Sequence, residues 1–155
     1  MTDLPYGQGG SPLQNLIVRG HSHTKVSAFR VGEGIDMGRI YCKNDLSLNG
    51  SAFEIFERAS RIVFTDMIPY IIDTRPVPQP QSGEPICFGR RTPEQSQIPD
   101  GADMNKIYDY IRMLDAEEYP KAFVKYANGK IEFSNAKMIK GKVIARAEFK
   151  ENNGK

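Results

Sequence analysis

The chain has 155 residues, of which 39% are hydrophobic and 26% are charged, values typical of one globular domain. Its first residues carry glycines and Pro5 in place of an apolar run, so no secretory signal peptide is expected. The most apolar later stretch, RIVFTDMIPYII, contains Asp66 and Pro69 and is too short to cross a bilayer. We therefore expect a cytoplasmic protein with no membrane partner.

Charge is unevenly divided along the chain. The net charge is +2, but residues 120–155 carry +6 and residues 1–119 carry −4. A lysine-rich face can attract nucleic acid, or it can keep exposed strand edges from pairing with other chains. We favour edge protection because no aromatic platform accompanies the lysines, so nucleic acid is not expected as a partner.

The cysteines and histidines indicate no metal site. Cys42 and Cys87 are far apart and have no second ligand at metal-binding spacing, so neither a metal site nor a disulfide framework is predicted. His21 and His23 follow a predicted helix end, where positive charge is favourable, and are interpreted as surface residues rather than as an H-x-H ligand pair.

The first predicted elements are a short helix and two strands. Ser11 and Pro12 are typical of an N-cap and a first helical residue, LQNLIV supplies an apolar stripe, and Gly20 ends the helix. The stretches TKVSAFRV and GRIYCKNDLSL are predicted to be strands that pair through the glycine-rich loop GEGIDMG. The segment before Ser11 is interpreted as a loop.

The middle of the chain is predicted to hold its longest helix, over residues 52–72. Ser51 and Glu54 have the spacing of a capping box, and Pro69 is expected to kink or end the helix. TRPVPQPQSGEP has too many prolines for a helix, so it is predicted to be extended and to lead into a short strand, ICFGRR. One helix face is predicted from the spacing of Phe53, Phe56, Ser60, Val63, Met67 and Ile71.

The last third is predicted to be a helix followed by an antiparallel sheet. DMNKIYDYIRMLDA repeats apolar residues at helical spacing. The residues after it are typical of a strand, an Asn128-Gly129 turn, a strand, a Lys-Gly-Lys turn and a final strand. The helices at 12–18 and 52–72 are expected to leave apolar faces uncovered, so self-association or a homodimer is expected.

Four stretches carry a family resemblance: TDLPYGQGGSPLQNLI, GEGIDMGRIY, FGRRTPEQSQIP and IYDYIRMLDAEEYPKAF. In this order and spacing they resemble the second half of the 10-formyltetrahydrofolate-dependent formyltransferases. That family includes enzymes that formylate methionyl-tRNA, glycinamide ribonucleotide and sugar amines. The resemblance implies an α/β fold: a partial Rossmann-like formyltransferase domain over residues 1–119, a small antiparallel β extension over 120–150, and a disordered tail over 151–155.

The resemblance also implies a catalytic site. In the family an Asn-x-His segment precedes a loop matched here by residues 2–5, and a later acid is matched by Asp36. The His would fall immediately before Met1, so we expect a fragment, or a reading frame begun late, that is inactive as it stands. The Asn and His would stabilise an oxyanion, while Asp36 would hold the His and help relay protons. The alternative for Asp36 is the cap of a glycine-rich turn.

The resemblance implies binding residues as well. The family loop matched by VGEGID borders the pterin pocket, so Glu33, Gly34 and Ile35 are candidate neighbours of the formyl donor 10-formyltetrahydrofolate; the alternative is a plain hairpin loop. Gln8 stands where the family commonly has an arginine. Three arginines could bind acidic parts of a substrate: Arg90, Arg91 and Arg112. The favoured alternative is that these arginines pair with Glu94, Asp109 or Asp115.

A small amine, notably a nucleotide-linked amino sugar, is the acceptor that we expect. The tRNA enzyme adds a separate β-barrel, and the three short strands after Tyr119 are too few to close one. Two other interpretations stay open. One is a non-catalytic remnant that binds a partner chain or folate, and the other is a protein like the methionyl-tRNA enzyme.

Overall fold

The computed structural model describes residues 1–151, which divide into two compact units. One unit comprises residues 1–49 and 54–91, and the other comprises residues 50–53 together with the chain from residue 92 onward. Of the predicted tail over 151–155, Glu151 ends the last strand and the rest lies outside the described residues. Within residues 1–151, no helix has the length and apolarity needed to span a membrane.

The described residues form seven strands and four α-helices. A π-helical turn at Val63–Met67 joins the second and third helices, and a 3-10 turn spans Pro93–Ser96. In chain order the elements are β1 (Tyr6–Gly9), α1 (Pro12–Val18), β2 (His23–Phe29), β3 (Ile40–Ser47), α2 (Ala52–Ile62), α3 (Ile68–Thr74), β4 (Ile86–Phe88), α4 (Met104–Arg112), β5 (Ala122–Tyr126), β6 (Gly129–Ile139) and β7 (Lys142–Glu151). This mixed α/β fold confirms the predicted class.

Strand β1 lies in the opening segment, where only a loop was predicted, so that prediction is wrong. β1 pairs in parallel with β4, almost eighty positions later in the chain. The two backbones approach closely, because a Cβ atom on Gly9 would lie 2.5 Å from the Phe88 carbonyl oxygen. Parallel pairing with so distant a partner leaves no local sequence pattern.

Helix α1 begins at Pro12 as predicted, and its apolar face is covered. Leu13, Leu16 and Ile17 are each 1% exposed, so the expectation of an open face on this helix is wrong. Ser11 is the N-cap residue, as predicted, but its side chain forms no capping hydrogen bond. Its hydroxyl instead accepts the backbone N–H of Arg91 at 3.0 Å, which ties α1 to the segment after β4.

The predicted hairpin of β2 and β3 is confirmed. The strands pair antiparallel, with His23 opposite Ser47 at one end and Phe29 opposite Ile40 at the other. The proline-rich segment is extended, as predicted, and Gln79 exchanges two backbone hydrogen bonds of 2.8 and 2.9 Å with Ile40.

The long predicted helix is divided by the π-helical turn that precedes Pro69. Proline has no N–H, and its ring excludes the carbonyl four residues earlier, so regular α-helical bonding cannot continue there. The predicted face is partly wrong, because Phe53 is 56% exposed. Phe64 and Ile72 are 68% and 65% exposed, so the expected open apolar surface is present here. The buried positions of this stretch are Ala52, Ile55, Ala59 and Met67.

The second unit contains α4 and the predicted antiparallel sheet, whose strand order is β5-β6-β7. Asp103 caps α4 by accepting the Lys106 backbone N–H at 2.8 Å. The first turn falls at residues 127–128, one position earlier than predicted, because Tyr126 pairs with Gly129. The second turn falls on Lys140 and Gly141, both at positive φ, as a two-residue hairpin turn requires.

The carboxylate of Glu132 lies between two lysines of this sheet. Its oxygens accept from Lys130 Nζ at 2.7 Å and from Lys150 Nζ. Burial is the largest single effect on this group and raises its pKa, but the hydrogen bonds and charges of the two lysines outweigh burial and hold the pKa below its ordinary value. The ion pairs therefore favour the folded state when Glu132 is ionised.

Truncation of the α1 core should destabilise the chain. Leu16→Ala is expected to lower the free energy of unfolding by about 2–5 kcal/mol, because Leu16 is 1% exposed and its removal leaves a cavity. Ile72→Ala, at a position 65% exposed, is the control and should change it by less than about 0.5 kcal/mol. Urea titration measures both, and equal losses would contradict this assignment of the core.

The Glu132 ion pairs should make stability depend on pH. Since the folded-state pKa is lowered, the stabilisation is present above the unfolded-state pKa and is lost as pH falls through the folded-state value. Glu132→Gln should therefore lower Tm at pH 7, and the difference from the wild type should shrink below about pH 4. Glu148→Gln, which removes a more exposed carboxylate paired with Arg146, is the control. A difference in Tm independent of pH would contradict the prediction.

Candidate functional site

The loop at residues 2–5 is anchored on the β2–β3 hairpin. Thr2 is 2% exposed, and its carbonyl oxygen accepts the Ser27 hydroxyl at 2.7 Å. Lys43 Nζ lies 2.6 Å from Asp3 Oδ1 and also donates to the Leu4 carbonyl oxygen. These contacts hold the loop against both strands of the hairpin.

Asp36 lies in the loop that joins the two strands of this hairpin. It is half-buried, and its backbone is in the left-handed region at a φ of 56°. Its Oδ2 atom accepts the backbone N–H of Gly9 at 2.8 Å. Among residues 1–151, no group forms a hydrogen bond with its Oδ1 atom. The carboxylate therefore joins its loop to β1, 27 residues away, and leaves one oxygen available.

Two glutamine side chains hold the main chain at Asp36. Gln81 Nε2 donates to the carbonyl oxygens of Asp36 at 2.7 Å and Gly38 at 2.8 Å. Gln8 Nε2 lies 3.3 Å from the Asp36 carbonyl oxygen and 3.3 Å from Gln81 Oε1. In the sequence, Gln8 was notable only because the family commonly has an arginine at that position. Gln81 lies in the proline-rich segment, and no sequence pattern indicated a role for it.

The charge of Asp36 acts on the first residue of the chain. Burial is the larger effect on the Met1 α-amino group and lowers its pKa, while the negative charge of Asp36 raises it. The two groups are thus close enough to interact.

The candidate cofactor residues Glu33, Gly34 and Ile35 form the exposed tip of the same loop. Gly34 has a φ of 87°, a backbone conformation that residues with a Cβ atom rarely adopt, so this turn favours glycine. Ile35 is 77% exposed, and Val31 is 89% exposed. The loop thus presents apolar surface close in sequence to the Asp36 carboxylate.

The three candidate arginines have different surroundings. Arg90 is exposed, and its side chain forms no hydrogen bond or ion pair with the part of the chain that the structure describes. Arg91 is half-buried and donates its backbone N–H to Ser11. Arg112 is 8% exposed, and its Nη1 atom lies 3.0 Å from the Gly50 carbonyl oxygen. Its Nε atom lies 2.7 Å from Asp109 Oδ1, so the predicted ion pair with Asp109 is confirmed.

The two histidines are not brought together as ligands. Nε2 of His21 lies 2.9 Å from the Tyr6 hydroxyl, while Nδ1 of the exposed His23 lies 3.0 Å from the Ser22 hydroxyl. Within the described range, no group of three His, Cys, Asp or Glu side chains is arranged to hold a metal ion.

Aromatic rings and lysines meet at one end of the β5-β6-β7 sheet. Tyr126 and Phe149 are 58% and 70% exposed, and their rings form a T-shaped contact with centroids 5.6 Å apart. With Lys130 and Lys150 they line a cavity of about 620 Å³. Two exposed rings thus lie beside the lysines, contrary to the expectation that no aromatic platform accompanies them.

Residues 93–150 match the family model described as methionyl-tRNA formyltransferase, C-terminal domain. A solved methionyl-tRNA formyltransferase from Clostridium thermocellum is 59% identical, with a TM-score of 0.95; the match covers 98% of this chain and 67% of that one. The methionyl-tRNA formyltransferase of Thermosipho africanus is 28% identical over 116 residues, which cover 72% of this chain and 38% of that protein.

A more distant structure shares the fold. The N-formyltransferase from Helicobacter canadensis, in complex with folinic acid and dTDP-3-aminofucose, is 15% identical with a TM-score of 0.63, and the match covers 95% of this chain and 64% of that one. The chain spans 38%, 27% and 50% of the length of three curated relatives, all methionyl-tRNA formyltransferases. The high identity and coverage of the Clostridium thermocellum structure show that this chain belongs to the formyltransferase family that includes the methionyl-tRNA formyltransferases.

Proposed function

We propose that the protein transfers a formyl group from 10-formyltetrahydrofolate to the amino group of methionyl-tRNA, with Asp36 as a catalytic residue. The observation that carries this proposal is the arrangement of the Asp36 carboxylate. One oxygen is held by the Gly9 N–H and the other accepts no hydrogen bond from residues 1–151. The carboxylate is half-buried, and its loop belongs to the same hairpin that anchors residues 2–5, the segment that follows the position of the family's histidine.

The chemistry explains why an oriented carboxylate is useful there. The acceptor amine attacks the formyl carbon, an oxyanion forms on the formyl oxygen, and the nitrogen must lose a proton as the folate nitrogen leaves. A carboxylate that accepts the N–H of a histidine ring orients that ring and stabilises its protonated form. Oδ1 of Asp36 is the oxygen that we assign to this role.

The oxyanion donors are assigned by the family resemblance to an Asn and a His that have no counterpart in residues 1–155. Loss of one such donor typically costs about a hundredfold to a thousandfold in rate. We therefore propose that these 155 residues by themselves do not catalyse the transfer. A remnant that binds folate without turnover is the outcome if no longer polypeptide is encoded.

The loop tip at residues 33–35 is the part of the chain that we assign to the formyl donor. Its exposed Ile35 offers apolar surface to a flat pterin ring, and Gly34 lets the backbone approach closely. The bound folinic acid in the Helicobacter canadensis relative supports a folate donor. Of the three arginines, Arg90 is the one whose side chain is exposed, so we assign it, rather than the buried Arg112, to acidic parts of the substrate.

Methionyl-tRNA is preferred over an amino sugar as the acceptor because the high-identity relative is a methionyl-tRNA enzyme. The preference for an amino sugar rested on there being too few strands for the additional domain of the tRNA enzyme. Residues 93–150 match a model of the C-terminal domain of the methionyl-tRNA enzyme, which weakens this reason and supports the tRNA acceptor. The Helicobacter canadensis N-formyltransferase, whose complex holds dTDP-3-aminofucose, is only 15% identical and gives weaker support to the sugar acceptor.

Removal of the Asp36 carboxylate should abolish most activity. In the longest polypeptide that the gene encodes around this chain, Asp36→Ala should lower the rate of tetrahydrofolate release from 10-formyltetrahydrofolate by about a hundredfold or more. Asp45→Ala, which removes an exposed carboxylate on β3 that pairs with Lys25, is the control and should keep the wild-type rate. If the Asp36→Ala variant keeps full activity, Asp36 is not catalytic, and the alternative that it only caps the glycine-rich turn is supported.

The acceptor should be found by competition between amines. The same polypeptide is expected to formylate methionyl-tRNA and to leave a dTDP-linked amino sugar unchanged when both are present. Methionyl-tRNA whose amine is already acetylated is the control, because it retains the RNA and lacks the nucleophile. Formylation of the sugar alone would reject the proposed acceptor and support the alternative.

A further inference from the structure

We infer that Gln81 is a positioning residue for Asp36: its side-chain amide fixes the backbone turn from which the Asp36 carboxylate reaches Gly9. This inference deepens the proposed function and rests on it, because positioning matters for catalysis only if Asp36 is catalytic. Gln81 touches no reacting group by this account and acts through the main chain alone.

Both N–H groups of the Gln81 amide are used within one turn. Nε2 donates to the carbonyl oxygens of Asp36 and Gly38, at 2.7 and 2.8 Å, so it bridges two carbonyls that lie two residues apart. The Gln81 Oε1 atom lies 3.3 Å from Nε2 of Gln8, which is itself 8% exposed. The amide plane of Gln81 is thereby held from both ends.

The turn needs such a clamp because its backbone conformation is unfavourable by itself. Asp36 has a φ of 56°, a region that residues with a Cβ atom adopt at a cost. Gly38, in the same turn, lies directly against the Arg30 backbone. A Cβ atom on Gly38 would lie 1.7 Å from the Arg30 carbonyl oxygen. The Arg30 backbone therefore limits the position of Gly38, and the two hydrogen bonds from Gln81 limit the positions of the Asp36 and Gly38 carbonyl groups.

The direction of the Asp36 side chain follows from the direction of its backbone. If the turn relaxes out of the left-handed region, the Cα–Cβ bond rotates away and Oδ2 loses the Gly9 N–H, 2.8 Å away. Loss of the Gln81 amide should therefore release the carboxylate although Gln81 does not touch it. A residue that only supported the loop would change stability and leave the bond to Gly9 intact.

The Gly9 amide proton reports this bond without any turnover. An N–H that donates to an ionised carboxylate is more strongly polarised than one that donates to the neutral acid. At pH 7, Asp36→Asn keeps the shape of the side chain and removes its charge, so this substitution should move the Gly9 amide proton resonance in an otherwise wild-type chain. The size of that movement measures the bond between the Gly9 N–H and the Asp36 carboxylate.

Gln81→Met keeps the length of the side chain and removes both donors. In a Gln81→Met background, the movement of the Gly9 resonance caused by Asp36→Asn should fall to less than about half of its value in the wild-type background, because the carboxylate has already left the N–H. Gln79→Met is the matched control, because the Gln79 amide donates only to the nearby Val77 carbonyl oxygen, and it should keep the full movement. If Gln81→Met does not fold, Gln8→Met tests the same clamp, with a smaller loss expected because its contacts are 3.3 Å long.

A wild-type Gly9 resonance that does not move, or a Gln81→Met or Gln8→Met resonance that moves as far as the wild type, overturns the inference. In a polypeptide that transfers formyl groups, Gln81→Met should lower kcat by about tenfold to a hundredfold and leave the KM for methionyl-tRNA unchanged. If the Gly9 resonance responds to the substitutions as expected but no polypeptide transfers a formyl group, the proposed function is rejected and the positioning role of Gln81 is retained.

Discussion

The hydrogen bond between the Gly9 N–H and the Asp36 carboxylate connects the two strand pairs of the first unit. Gly9 belongs to the parallel pair of β1 and β4, and Asp36 belongs to the loop of the β2–β3 hairpin. The bond is charge-assisted and exposed, so it combines strength with access to a ligand. The candidate site depends on this one contact, since it decides where the available carboxylate oxygen lies.

Close backbone approach and amide side chains make that contact geometrically feasible. Gly9 lies against the Phe88 carbonyl and Gly38 against the Arg30 carbonyl, at separations that leave no room for a Cβ atom. Gln8 and Gln81 then satisfy the Asp36 carbonyl oxygen that this packing turns inward. Across the described residues, no buried side-chain nitrogen or oxygen lacks a hydrogen-bond partner, as expected of a well-determined polar network.

In the second unit, much of the charge supports the fold. Asp115 accepts from Lys121 at 3.0 Å and from the Asn135 backbone N–H at 2.7 Å, where β6 breaks its register. Glu132 offsets the charge of Lys130 and Lys150 beside the exposed rings of Tyr126 and Phe149. The positive charge of this end of the sheet is thus smaller than a count of lysines suggests, and the aromatic surface is larger.

The sequence by itself determined the elements whose signals are local. Proline at the start of α1, the glycine-rich hairpin loop, the apolar spacing of α4 and the turn residues of the last sheet each act within a few positions, so they could be predicted. Asp36 and the loop tip at residues 33–35 are candidate site residues because their short motifs resemble those of the family, and that assignment stays a prediction. Only the tertiary structure decided the pairing of β1 with β4, the covered face of α1 and the clamp from Gln81. Those features depend on contacts between residues far apart in the chain, such as Gln8 and Gln81, which are separated by 73 positions. They could not be predicted, because no local pattern of side chains determines which distant segment of backbone will lie beside a given strand or turn.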